Sequence, residues 1–157
     1  MAEPDVEIER KYLLRALPRL PTGTTTLEIE QGWIPGTRIL ERLRCTRGPD
    51  GVRHFRTIKF GTGIKRVEVE EEIPAELFAR MWPLTDGRRL AKRRHCVPHG
   101  TLRWEIDEFA GRDLVLAEIE LPAVDTPVVV PPWLASVVVR EVTGDPAYVN
   151  ANLATQG

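Results

Sequence analysis

The feature that most constrains this chain is a charge pattern of period two. Strand residues alternate between faces, so residues two apart share a side. Sorted this way, segment after segment divides into one ionic face and one apolar face. Glu7, Glu9 and Lys11 oppose Val6, Ile8, Arg10 and Tyr12. In Ile39 to Thr46, Arg42 and Arg44 oppose Leu43 and Cys45; in Phe55 to Phe60, Lys59 opposes Ile58 and Phe60. In Ile64 to Ile73, Arg66, Glu68, Glu70 and Glu72 oppose Val67, Val69 and Ile73. Lys92 and Arg94 oppose Ala91 and Val97 in Leu90 to Val97. In Leu102 to Phe109, Arg103, Glu105 and Asp107 oppose Leu102, Trp104 and Ile106; in Leu114 to Leu121, Glu118 and Glu120 oppose Val115, Ala117, Ile119 and Leu121. An ordinary sheet with its charged face in water explains any one such strand. Solvated strand faces usually mix in Thr, Ser, Gln and Asn, and cross-strand ion pairs contribute only ~0.2–1 kcal/mol each. The recurrence instead predicts a closed or nearly closed antiparallel sheet with its ionic faces inward. Unpaired ions in a dry core would cost tens of kcal/mol by Born estimates, so that interior must be wet. A barrel of about eight strands can hold a small ligand.

Turn signals at Pro35-Gly36, Gly48-Pro49-Asp50-Gly51, Gly61-Thr62-Gly63, Asp86-Gly87, Pro98-His99-Gly100 and Gly111 fit successive hairpins. Two regions read as helical. Ala75 to Trp82 puts Leu77, Phe78, Met81 and Trp82 on one stripe, with Pro83 as its stop. Near the C-terminus, Pro131 to Ala135 opens a short helix, and Asp145 caps a second running toward Leu153. Val137 to Val139, β-branched, blur this region. The expected class is therefore α+β and β-dominated, an eight-stranded tunnel with helices outside, in a single domain over 1–157.

With 22 Lys and Arg against 23 Asp and Glu, the net charge is −1. That balance argues against a nucleic-acid partner. No apolar run is long enough for a membrane helix, and the opening Met-Ala-Glu-Pro-Asp lacks secretory features. Cys45 and Cys96 match no metal spacing and read as reduced thiols of a cytoplasmic protein. His54, His95 and His99 read as surface histidines, and Met81 and Trp82 as helix-to-sheet packing.

The ionic faces carry the chemistry. Their bases suit an anionic ligand. Carboxylates two apart, as in Glu7/Glu9 and Glu118/Glu120, can reach one hard cation, and Mg²⁺ typically uses one or two carboxylates plus substrate phosphates. Arg and Lys beside such acids point to phosphoryl chemistry.

Glu7-Ile8-Glu9-Arg10-Lys11 resembles the N-terminal signature of the CYTH, or triphosphate tunnel metalloenzyme, superfamily. The resemblance continues in order through Gln31-Gly32-Trp33, Glu41-Arg42-Leu43-Arg44, Thr57-Ile58-Lys59, Arg66-Val67-Glu68-Val69-Glu70, Lys92-Arg93-Arg94, Trp104 to Phe109 and Glu118-Ile119-Glu120-Leu121. It closes on Glu141 to Asp145 with Tyr148, Asn150 and Leu153, and so spans residues 5 to 154. It implies a metal-dependent hydrolase of inorganic triphosphate, with thiamine triphosphatase, adenylate cyclase or a non-catalytic polyphosphate-binding module as alternatives on the same scaffold. Glu7, Glu9, Asp107, Glu118 and Glu120 would bind Mg²⁺ or Mn²⁺. Lys11, Arg42, Arg44, Lys59, Arg66, Lys92 and Arg94 would bind the small-molecule triphosphate, and Lys11, Glu68 and Glu70 would serve catalysis. Glu72, Glu105 and Arg103 read as structural or rim charges. The protein is expected as a monomer or homodimer. One residue departs from the short bacterial members: Trp33 stands where a Tyr often partners the signature Lys, and an indole donates but cannot act as a base.

Overall fold

A computed structural model describes residues 6–37, 39–61 and 65–155. The start expected at Ile64, the turn residues Thr62 and Gly63, and the opening pentapeptide lie outside the described residues.

Eight antiparallel strands close on themselves. They are β1 (Val6–Leu14), β2 (Thr25–Ile34), β3 (Leu40–Gly48), β4 (Gly51–Phe60), β5 (Lys65–Glu72), β6 (Arg89–His99), β7 (Leu102–Phe109) and β8 (Val115–Glu120). Around the barrel the order is β5-β4-β3-β2-β6-β7-β8-β1, and β1 then returns to β5. Closure depends on β1 pairing on both sides. Val6 and Glu7 face β5 at Val67 and Arg66, while Glu9 to Leu14 run along β8. The β3–β4 hairpin turns on Pro49-Asp50 as expected, with Gly51 at φ +98°, where a side chain would be strained.

The inward faces are those the parity pattern predicts, and the main core lies outside the barrel wall. Ile8, Tyr12, Val97, Trp104, Ile106, Ala117 and Ile119 point outward and pack with Leu121 and Leu134 of the chain after β8. Trp104 and Ile106 are fully buried there. Each such aliphatic or aromatic side chain contributes about 1.5–3 kcal/mol on burial. The C-terminal segment thus supplies the apolar cover that keeps the barrel's greasy face from water. Part of it is a ninth strand, β9 (Val138–Glu141), where only a blurred region was expected; it pairs with Tyr12–Leu14 on the edge that β5 leaves free.

The interior is not wet throughout. Leu13, Leu90, Phe109 and Leu116 also fall on the inward parity, all at one end of the barrel. Val142, Tyr148 and Leu153 of the tail pack against them. That end is plugged and apolar, and the ionic side chains occupy the rest.

The first helix, α1 (Ala75–Met81), matches the predicted stripe, but Pro83 does not stop the chain. A 3₁₀ helix, Trp82–Thr85, follows at once, because Pro in a first turn forfeits no hydrogen bond. Phe78 stacks between His54 and Trp82, with centroids 4.8 and 5.0 Å apart. Gly32 on β2 admits this element: a Cβ there would meet Thr85 at 2.6 Å. The predicted terminal helices are α2 (Pro132–Ala135) and, in two pieces, a 3₁₀ turn Pro146–Tyr148 and α3 (Asn150–Leu153). Asp145 caps as expected, accepting from the Ala147 amide at 3.0 Å; the extended conformation of Val149 breaks the run.

Among the described residues no helix is long and apolar enough to cross a membrane. The reading of His95 as a surface residue is corrected. It is buried in mid-strand on β6, between Thr26 Oγ1 at 2.9 Å and Glu108 Oε2 at 2.7 Å. His54 is likewise within β4, half-buried under Phe78.

Candidate active site

The ionic interior encloses a cavity of about 170 Å³. Seven acids border it: Glu7, Glu9, Glu68, Glu70, Glu105, Glu118 and Glu120. So do seven bases: Lys11, Arg42, Arg44, Lys59, Arg66, Arg94 and Arg103. Trp33, Leu40 and the tail residues Val149, Asn150 and Ala151 complete the wall. Register explains the assembly. Glu9 is paired with Glu120, Lys11 with Glu118 and Lys59 with Glu68, so alternate residues of neighbouring strands converge without long side-chain reaches.

The acids concentrate on β1, β5 and β8. Lys59 Nζ lies 3.0 Å from Glu7 and 3.8 Å from Glu68, Arg66 contacts Glu9, and Lys11 lies 3.3 Å from Glu118. Lys11 also donates to the Tyr148 carbonyl at 3.0 Å. Burial, with the carboxylates of Glu118 and Glu7, raises the pKa of Glu9 well above the usual carboxylate range. Burial and a hydrogen bond shared with Glu7 bring Glu68 to about 7. Burial and the charges of Glu7 and Glu105 also raise Glu120.

Three of the seven bases lie on β3 and β6. Arg42 donates to the buried Thr57 hydroxyl at 3.2 Å, and that hydroxyl donates to Glu70 at 3.0 Å. Arg44 donates through Nε to Gln31 Oε1 at 2.8 Å. Burial and the neighbouring guanidiniums Arg42 and Arg94 push Arg44 downward. A buried cluster of like charges is unfavourable unless an anion joins it. Among the described residues, Arg42 Nε and Arg66 Nε are buried and without a hydrogen-bond partner.

Two expected site residues do not border the cavity. Asp107 is fully buried, with Arg94 Nε and Nη2 on its two oxygens at 2.8 Å each and Lys92 Nζ at 2.7 Å. Lys92 is sealed against Asp107 and faces the Phe109 ring at 5.5 Å. They form a clamp behind the cavity wall, because the apolar plug covers their end of the barrel. Glu72, read as a rim or structural charge, does not border the cavity and pairs with the exposed Arg53 at 2.8 Å. Arg103 and Glu105, read as rim or structural charges, do line the cavity, and Glu105 accepts from Arg94 at 2.9 Å. Two inward polar side chains that the parity sorting missed are Gln31 and Thr57, which accept from Arg44 and Arg42. Sorting β2 would have shown Gln31 and Trp33 on one inward face. Tyr12 lies outside as its parity predicts, edge-on to Trp104 at 5.8 Å.

The acids offer only hard oxygen donors, the kind divalent cations of the Mg²⁺ class prefer. Among the described residues no three acidic, histidine or cysteine side chains already converge as a metal site. Mg²⁺ needs no such cage when substrate phosphates complete its shell. The mutual repulsion of Glu9, Glu118 and Glu7 would be relieved by a cation, so the residues present fit the group.

A closed antiparallel tunnel lined by opposed acids and bases defines the class of triphosphate tunnel folds. No family model matches the chain. An inorganic triphosphatase of Nitrosomonas europaea is 36% identical over 156 residues, 94% of this chain and 96% of that one. One from Acetivibrio thermocellus is 42% identical over 95 residues, 59% of this chain and 58% of that one. The crystal structure of an inorganic triphosphatase superposes with a TM-score of 0.65 at 32% identity, over 96% of this chain and 95% of that one. The chain belongs to this inorganic triphosphatase family, among the short bacterial members of the CYTH fold.

Proposed function

We propose that the protein hydrolyses inorganic triphosphate to diphosphate and phosphate within the tunnel, with Mg²⁺ or Mn²⁺ as cofactor. The observation that carries this reading is a single cavity bordered both by the guanidiniums of Arg42, Arg44 and Arg94 and by the acids of β1 and β8. The named relatives support it.

Arg42, Arg44, Lys59, Arg66 and Arg94 bind the phosphate oxygens. Arg supplies forked contacts and Lys a point charge. They neutralise charge already fixed in place, so little reorganisation is needed in the transition state. Glu7, Glu9, Glu118 and Glu120 would hold the divalent ion. When bound, the ion would supply charge neutralisation for the triphosphate. Glu68, with Glu70 beside it, orients the water and accepts its proton. The water oxygen bonds to the terminal phosphorus as the bond to the bridging oxygen breaks, and diphosphate leaves. Lys11, ion-paired with Glu118 and donating to the Tyr148 carbonyl, positions Glu118 and faces the substrate as a donor. Asp107 and Lys92 fix Arg94 from behind. Trp33 walls the cavity and takes no proton.

Phosphate release from tripolyphosphate with Mg²⁺ or Mn²⁺, beside ATP and thiamine triphosphate, tests the reading. Tripolyphosphate is expected to turn over in preference to the other two. No turnover of any of them, with either metal from neutral to alkaline pH, contradicts it.

A further inference from the structure

Every base bordering the cavity but one has a carboxylate at ion-pair distance. Lys11 has Glu118 at 3.3 Å, Arg42 has Glu70 at 3.5 Å, and Lys59 has Glu7 at 3.0 Å. Arg66 has Glu9, Arg94 has Asp107 at 2.8 Å, and Arg103 has Glu105 at 3.1 Å. Arg44 stands apart: among the described residues it forms no ion pair. Its one hydrogen bond runs from Nε to the amide oxygen of Gln31 at 2.8 Å. Gln31 is fully buried, and among the described residues its Nε2 meets no hydrogen-bond partner. The amide orientation follows from chemistry, since a guanidinium can only donate and must face the oxygen.

We infer that Gln31 is a positioning residue for substrate binding: a neutral acceptor that fixes Arg44 by Nε, leaves both terminal nitrogens for a phosphate group, and cancels none of its charge. The inference rests on the triphosphate reading and names the element of the tunnel whose charge is reserved for the substrate. A carboxylate in the same place would hold Arg44 equally well and neutralise it. An apolar residue would leave the charge and lose the hold. Burial explains why the neutral choice matters: at this depth a charged acceptor beside Arg44 would be weakly screened and would compete directly with the polyanion. Position 31 also has the geometry for the task. It is the register partner of Arg44 on the adjacent strand, so backbone pairing sets the bond.

The isosteric variant Gln31→Glu separates charge from shape. Initial rates on tripolyphosphate with Mg²⁺ are expected to show KM raised about tenfold or more, with kcat changed far less. Gln31→Met is expected to raise KM by roughly threefold to tenfold through the lost hydrogen bond. Both effects should disappear in an Arg44→Met background, because Gln31 acts through Arg44. Should Gln31→Glu fail to fold, Gln31→Met in the two backgrounds carries the test. KM within about twofold of wild type in a folded variant, loss of kcat alone, or equal effects with and without Arg44 would each overturn the inference. If wild-type protein does not turn over tripolyphosphate, the triphosphate reading fails first, and the inference with it.

Discussion

Asp107 and Glu120 stand on the same inward face of neighbouring strands and live under opposite conditions. Asp107 is fully buried, and Arg94 and Lys92 occupy its oxygens. Burial alone would raise its pKa, yet the two bases hold it down, at about 2. Glu120 borders the cavity, faces other acids, and is pushed upward by partial burial and by Glu7 and Glu105. The first is compensated by protein and the second is not. A carboxylate whose charge the protein already satisfies serves the fold. One whose charge the protein leaves exposed to like charges is available to a ligand.

That contrast can be broken most forcefully at Asp107. Asp107→Ala leaves Arg94 and Lys92 buried without their counter-charge and is expected to cost about 3–5 kcal/mol of stability, read from urea unfolding. A variant as stable as wild type, yet deaf to Mg²⁺, would make Asp107 a metal ligand instead of a clamp. Acid pH probes the same residue more gently. Its folded pKa lies below the unfolded value of 3.8, so its contribution is complete above that value and drains as pH falls toward about 2. The loss amounts to about 2 kcal/mol. Unfolding free energies should show a shallower acid limb in Asp107→Asn than in wild type, the remainder coming from Glu7 and Glu118, which are also held below the usual carboxylate range; matching limbs would count against the clamp.

Smaller effects sharpen the cavity side. Lys59→Ala is expected to raise KM for tripolyphosphate about tenfold, since it removes one charge-assisted contact. Unchanged KM would take Lys59 out of the binding wall. Glu120→Gln should leave stability within about 1 kcal/mol of wild type while shifting the Mg²⁺ concentration needed for activity upward. An unaltered metal dependence would remove Glu120 from the ion's donor set.

How far the sequence reveals these differences depends on what period-two alternation encodes. It places Glu7, Arg42, Lys59, Arg94 and Glu118 on the inner face, because pleating leaves them no other side. It is silent about depth along the barrel axis, which separates Asp107 and Lys92 from the cavity. Depth is set by where Leu13, Leu90, Phe109 and Leu116 plug the interior, and those residues sit on the ionic parity at strand ends. Gln31 escapes a search for charges because its role depends on being neutral. His95 resembles a surface residue beside Arg93 and Arg94, yet cross-strand partners Thr26 and Glu108 bury it. The tail was legible only in pieces: the Asp145 cap is local chemistry, whereas β9 exists because β1 offers an open edge.

A crystal structure with tripolyphosphate and Mg²⁺ tests the account most directly. It should place phosphate oxygens on the terminal nitrogens of Arg44 and on Arg42 and Arg94, with the ion among Glu9, Glu118 and Glu120 and the Lys92–Asp107 pair intact behind them. Triphosphate bound outside the barrel, or an ion seated on Asp107, would contradict it.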